Sequence, residues 1–177
     1  MRSLLVTFAL LGLLAATADA RPRPNRGRRF ESNKTFGLGL ELGEPTGLTG
    51  KYFVAPDRAI DFGVGDIYHY GDRSGLHVYL DYLWHPVSLV STEAFELPFY
   101  FGIGGRIWAF DYNCGGCADA YAFGVRVPVG ISFDFNNVPI DLFAQFVFVL
   151  DFYSGYIDHH AVYGDLDFSI GARYYFN

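Results

Sequence analysis

The chain has 177 residues, enough for one domain, and its 51% hydrophobic and 19% aromatic content excludes disorder as the default. Eighteen Phe, thirteen Tyr and twenty-one Gly argue against a helical protein, since aromatics favour strands and Gly weakens helix interiors. The formal charge of −6 is uneven: five basic residues crowd Arg21–Arg29, while from Phe30 onward seven Lys/Arg face eighteen Asp/Glu. A body so acidic has no obvious nucleic-acid partner.

Residues 1–20 read as a secretory signal. Arg2 is the positive end, Leu4 to Ala16 the apolar run, and Ala18-Asp19-Ala20 the small-x-small cleavage site. The run is too short for a spanning helix, and no Cys near the site suggests lipoprotein processing. Residues 21–34 form a basic, Pro-containing segment expected to be disordered and solvated; contact with anionic lipid headgroups is the alternative. Residues 35–177 are expected to be a β-barrel domain.

Eight segments follow, each with one apolar face. Thr35–Gly43 sets Phe36, Leu38, Leu40 and Leu42 against Gly37, Gly39 and Glu41, and Gly43–Gly47 turns the chain. Leu48–Val54 sets Leu48, Tyr52 and Val54 against Thr49 and Lys51, and Pro56–Arg58 turns it again. The third segment has Ile60, Phe62 and Val64 opposite Asp61, Gly63 and Gly65. After a polar loop around His69–Ser74, Leu76, Val78, Leu80, Tyr82 and Trp84 alternate with His77, Tyr79 and Asp81. A long connection is expected over Pro86–Leu97. In the fifth segment Phe99, Phe101, Ile103 and Ile107 oppose Gly102, Gly104 and Arg106, before a loop over Asp111–Ala120.

The sixth segment places Phe123, Val125, Val127, Val129, Ile131 and Phe133 on one face, with Gly124, Arg126, Gly130, Ser132 and Asp134 on the other. At about 3.3 Å per residue and roughly 40° of tilt, the apolar face spans about 25 Å of membrane normal. Pro128 lies inside it and cannot donate to a sheet, so a bulge is expected there. After the Asn136–Pro139 turn, Ile140, Leu142, Ala144, Phe146, Phe148 and Leu150 alternate with Asp141 and Gln145. The last segment sets Leu166, Phe168, Ile170, Ala172, Tyr174 and Phe176 against Asp167, Ser169, Gly171 and Arg173. With both ends periplasmic, the turns near Pro56 and Asn136 are periplasmic. The stretches around His69, Cys114 and Gly155 are then extracellular.

The alternation would also suit a soluble, lipocalin-like barrel with its apolar face inward. Three features favour a membrane barrel. The polar faces carry Gly more often than the Lys, Glu and Thr of a wetted face, and the last strand is rich in aromatics. Aromatics also gather near segment ends, as in interfacial girdles: Tyr68, Tyr70, Trp84, Tyr100, Trp108, Phe110, Tyr121, Phe135, Phe152, Tyr153, Tyr174 and Phe176. The expected fold is all-β, an eight-stranded antiparallel up-and-down transmembrane β-barrel. A charge at lipid-facing Val127 should harm it more than one at lumen-side Thr49, near a segment end.

This eight-strand plan resembles the small outer-membrane barrels typified by the OmpA membrane domain. The opening Gly37–Tyr52, with the closing Gly171-Ala-Arg-Tyr-Tyr-Phe176, also resembles a group of exported bacterial barrel proteins. The resemblance implies a fold and an outer-membrane location. It implies no activity, because such proteins share architecture rather than a catalytic motif.

On the inward face lie Glu41, Lys51, Asp61, His77, Asp81, Arg106, Arg126, Asp141, Asp167 and Arg173, with Tyr79 and Gln145. Charges in a narrow barrel are costly unless paired, so a network that closes and stiffens the lumen is expected. The alternative is a thin gated ion path. Cys114-Gly-Gly-Cys117 is expected to form a loop-closing disulfide; a free or metal-binding pair is the other reading. Asp158-His159-His160, near Ser154, reads as a solvated loop, with a lipid-active hydrolase or acyltransferase as the enzymatic alternative.

No catalytic set, metal site or cofactor is expected. The function expected is that of an envelope structural or interaction protein acting through its outer loops. Its partners would be outer-membrane lipid and envelope or extracellular ligands, and the protein would be a monomer.

Overall fold

Strands with one apolar face leave their backbone groups unpaired at the sheet edges, and closing the sheet on itself removes the edges. In the computed structural model this is what the chain does. Residues 28–66, 75–110, 120–154 and 162–176 are described. They form β1 (Phe36–Gly43), β2 (Thr46–Ala55), β3 (Arg58–Asp66), β4 (Gly75–Ser91), β5 (Phe95–Phe110), β6 (Ala120–Phe135), β7 (Ile140–Ser154) and β8 (Val162–Phe176). Every neighbour is antiparallel and sequential, and β1 pairs with β8 to close the expected eight-stranded barrel.

The pairing register fixes the stagger. From Arg173 the paired residues run through Gly39, Thr49, Gly63, Tyr79, Arg106, Gly124 and Asp151, and return to β8 at Tyr163, ten residues along. Such a stagger goes with strands tilted by about 35–45° and an interior just wide enough for side chains. Leu40, Leu80, Val127, Phe146 and Leu166 are exposed on the outer wall, whereas Lys51, Asp81, Arg126 and Arg173 are buried inside. At the β1–β2 turn Gly43 has φ 125°, a conformation that favours glycine.

Four expectations need correction. Pro86–Leu97 is not a long connection: β4 runs to Ser91, β5 starts at Phe95, and only residues 92–94 join them. Pro86 falls where the β4–β5 register shifts, between Trp84 and Val87, a position that spares a proline from donating to the ladder. Pro128 makes no bulge. Its strand keeps register with β7, and the ladder to β5 merely lapses opposite Gly102 and Ile103, where the missing N–H would fall. Tyr100 and Trp108 are not girdle residues; both point inward and are fully buried, as their place between Phe99 and Phe101 and beside Ile107 requires.

The fourth concerns the segment expected to be disordered. Residues 28–34 lie across the end of the barrel that carries the short turns at 56–57, 92–94 and 136–139, and Thr35 leads into β1. Beyond Trp84, the partner of Arg58, β4 has no β3 neighbour, and this segment covers part of its edge through the bridge of Arg28 to Ser88. The reason is an apolar anchor and a paired cation inside a basic stretch: Phe30 is 1% exposed and Lys34 6%.

The outer wall carries aromatic contacts at the same end. Tyr82 meets Trp84, and Trp84 stacks on Phe101. Phe95 stacks on Phe133, and Phe36 contacts Phe62 and Phe176.

Candidate functional site: the polar lumen

All ten inward charged and histidine residues expected from the sequence lie inside the barrel, each 3% exposed or less. All but Lys51 fall in three linked tiers. Alternation aims these side chains at the axis, and glycines opposite them make room.

Nearest the long-loop end, Arg106 donates from Nε to Asp151 Oδ1 at 2.9 Å, pairs again with Asp151 through Nη2, and donates from Nη1 to Asp167 Oδ2 at 2.6 Å. In the middle, Arg126 Nε lies 3.2 Å from both oxygens of Asp81, and its guanidinium sits 4.2 Å from the Tyr79 ring centroid. His77 Nε2 lies 3.5 Å from Arg126 Nη1, and Asp167 bridges upward at 4.0 Å.

In the third tier Arg173 Nη2 is 2.8 Å from Asp61 Oδ1, and its guanidinium lies 3.8 Å from the Phe143 ring centroid. Arg173 also donates to Thr49 Oγ1 at 2.9 Å and 3.2 Å. The Tyr79 hydroxyl donates to Glu41 Oε2 at 3.2 Å and sits 3.2 Å from Thr49 Oγ1. With its own proton committed to Glu41, Tyr79 accepts from Thr49, so a directed chain runs Arg173 to Thr49 to Tyr79 to Glu41. Asp141 takes the Tyr175 hydroxyl at 2.8 Å and faces Arg173 Nη1 at 3.9 Å. Tyr100, Gln145 and Ser169 form a separate hydrogen-bonded string.

Two acid pairs stand directly opposite each other across strands, Asp61 with Asp81 and Asp134 with Asp141. Such like-charge pairs repel. Each is separated by cations from elsewhere in the fold: Arg173 at Asp61 and Arg126 at Asp81, then Lys34 at Asp134 and Arg173 at Asp141.

The glycines do not leave the lumen empty. A Cβ at Gly63 would lie 2.4 Å from the Tyr79 ring, and one at Gly124 would lie 2.2 Å from Asp151 Oδ1. The bulky chains therefore occupy the volume that the glycines vacate.

Below the third tier, at the short-turn end, the lumen turns aromatic. The His85 ring lies 5.3–5.4 Å from those of Phe53, Phe30 and Tyr100. Lys51 is fully buried there, with Nζ 4.7 Å from the Tyr100 ring centroid and 5.7 Å from that of Phe53. Its amine makes no hydrogen bond among the described residues.

Sequence reasoning missed Asp151, Lys34 and His85 as members of this interior. Asp151 was within reach, because the inward series Asp141, Phe143, Gln145, Val147 and Val149 continues to it. Alternation sets Asp134 on the inward face, but its partner Lys34 comes from the segment that crosses the barrel end. Cys114 and Cys117, the loop around His69, and Asp158–His160 lie outside the described residues, as does the side chain of Ser154. Among the described residues no three His, Cys, Asp or Glu side chains are grouped to hold a metal ion.

No protein-family model matches the sequence, and no curated protein matches it. Among solved structures, the N-terminal β-barrel domain of Pseudomonas aeruginosa OprF aligns with a TM-score of 0.50 at 15% identity, over 82% of this chain and 99% of that one. The attachment invasion locus protein Ail of Yersinia pestis aligns with a TM-score of 0.38 at 17% identity, over 83% of this chain and 100% of that one. The likeness to the OprF domain is one of fold.

Proposed function

We propose that this chain, which has the fold of the small outer-membrane β-barrels, resides in the outer membrane. There it acts as a closed structural or interaction protein, presenting its long loops outside the cell. The observation that carries this reading is the triple closure of the lumen: Arg106 on Asp151 and Asp167, Arg126 on Asp81, and Arg173 on Asp61. Three guanidiniums held by carboxylates at successive depths leave no open file for a hydrated ion in a barrel already filled by its side chains. The outer wall supports a lipid partner, because its exposed side chains across the band are aliphatic or aromatic. In this reading the protein acts through its surfaces, without catalysis.

Planar bilayers provide the test. The purified protein should give no steady conductance. Arg126→Ala should lower barrel stability, because Asp81 is left buried without its cation, rather than open a channel. Reproducible single-channel steps from the unaltered protein would falsify the closed lumen and favour a narrow pore.

A further inference from the structure

The segment before β1 places side chains across the barrel axis at the short-turn end. Of residues 28–35 only Phe30 and Lys34 are buried; Arg28, Arg29, Glu31, Asn33 and Thr35 face outward. The segment is therefore held by two buried side chains, an exposed ion pair from Arg29 Nη2 to Asp57 Oδ2 at 3.1 Å, and a few main-chain bonds. Those bonds are Ser88 N–H to Arg28 O, Ser32 N–H to Pro56 O and Phe53 N–H to Thr35 O, each 2.8 Å.

Both buried side chains fill prepared seats. Phe30 meets the rings of Phe53 and His85. Lys34 pairs with Asp134, donates to Ile140 O at 2.9 Å and lies 5.2 Å from the Tyr175 ring centroid. Its amine is thus the cation paired with Asp134 in the Asp134–Asp141 acid pair. Next inside lies the fully buried Lys51, whose ammonium rests on Tyr100 and Phe53.

We propose that residues 28–35 are a tethered stopper that governs access from the short-turn end to the buried amine of Lys51. Phe30 is its plug and Lys34 its latch. A segment anchored by so few groups opens as a unit while the strands stay paired. The stopper rests on the closed-lumen reading in one respect only: the tiers above Lys51 must block entry from the other end.

Cysteine accessibility tests this in the folded full-length protein. With Cys114 and Cys117 replaced by Ser, Lys51→Cys is exposed to a small methanethiosulfonate reagent in detergent micelles, with and without Phe30→Ala plus Lys34→Ala. An open state populated at about 0.1–10% implies that removing the stopper speeds labelling by about ten- to a thousandfold. Heat-modifiable gel mobility shows which variants are folded. If the double variant does not fold, Phe30→Gly alone, which keeps Lys34 on Asp134, is read in the same way.

Slow labelling with the native segment and fast labelling without it supports the stopper. Slow labelling in both overturns it and leaves the closed lumen standing. Fast labelling in both, together with ion conductance, overturns the closed lumen as well.

Discussion

Thr49 shows how much one lumen position can carry. It joins Arg173 to Tyr79 and is 1% exposed. From the alternation alone it reads as a mild site near a segment end. The structure reverses this, because Thr49 lies within β2 against a guanidinium. We expect Thr49→Arg to be at least as damaging as Val127→Arg, for which a charge near the bilayer midplane costs about 2–4 kcal/mol. Thr49→Arg would set a second guanidinium beside Arg173 and break the hydrogen-bonded link from Arg173 through Thr49 to Tyr79. Urea titration of both variants folded into lipid vesicles checks this, and near-native stability of Thr49→Arg would mean the lumen has room to spare.

Strand faces were legible because a period of two needs only local information. Alternation placed Glu41, Asp61, Arg106 and Arg173 inside with no knowledge of their partners. Partners were not legible, since Arg173 meets Thr49 across 124 positions and Lys34 meets Asp134 across 100. Strand ends failed where local chemistry misled: Pro86 looked like a break yet sits at a register shift within a longer strand. Pro128 likewise looked like a bulge but costs only a lapse toward β5. Pro128→Val should therefore be tolerated and gain about 0.5–1.5 kcal/mol, the net value of one ladder hydrogen bond. The same vesicle titration measures it, and a clear loss of stability would show that the proline ring itself is needed in the lumen wall.

At the scale of the molecule, stability is expected to come from closure and from the interior together. Every strand has two neighbours, and the tiers tie β1, β2, β3, β4, β6, β7 and β8 across the lumen through Glu41, Thr49, Asp61, Tyr79, Arg126, Asp141 and Arg173. Detergent should not open such a barrel at room temperature. We expect an unboiled sample to migrate apart from a boiled one on a denaturing gel, and the protein to fractionate with the outer membrane. Identical mobility combined with recovery in the soluble periplasm would rule out the membrane reading.

The barrel is not equally strong all the way round. β1 has eight residues, whereas β4 has seventeen and the two strands that follow it, β5 and β6, have sixteen each. That shortest strand also makes the join most distant along the chain, where Phe36 pairs with Phe176. Bringing such remote segments together carries the largest loss of chain entropy, and here only eight paired positions repay it, against thirteen between β4 and β5. Folding is therefore expected to run from the long hairpins of β4 to β7 toward a late zipping of β1 onto β8. The same line is where the wall should part first under heat or force, which gives an otherwise symmetric cylinder a direction in time.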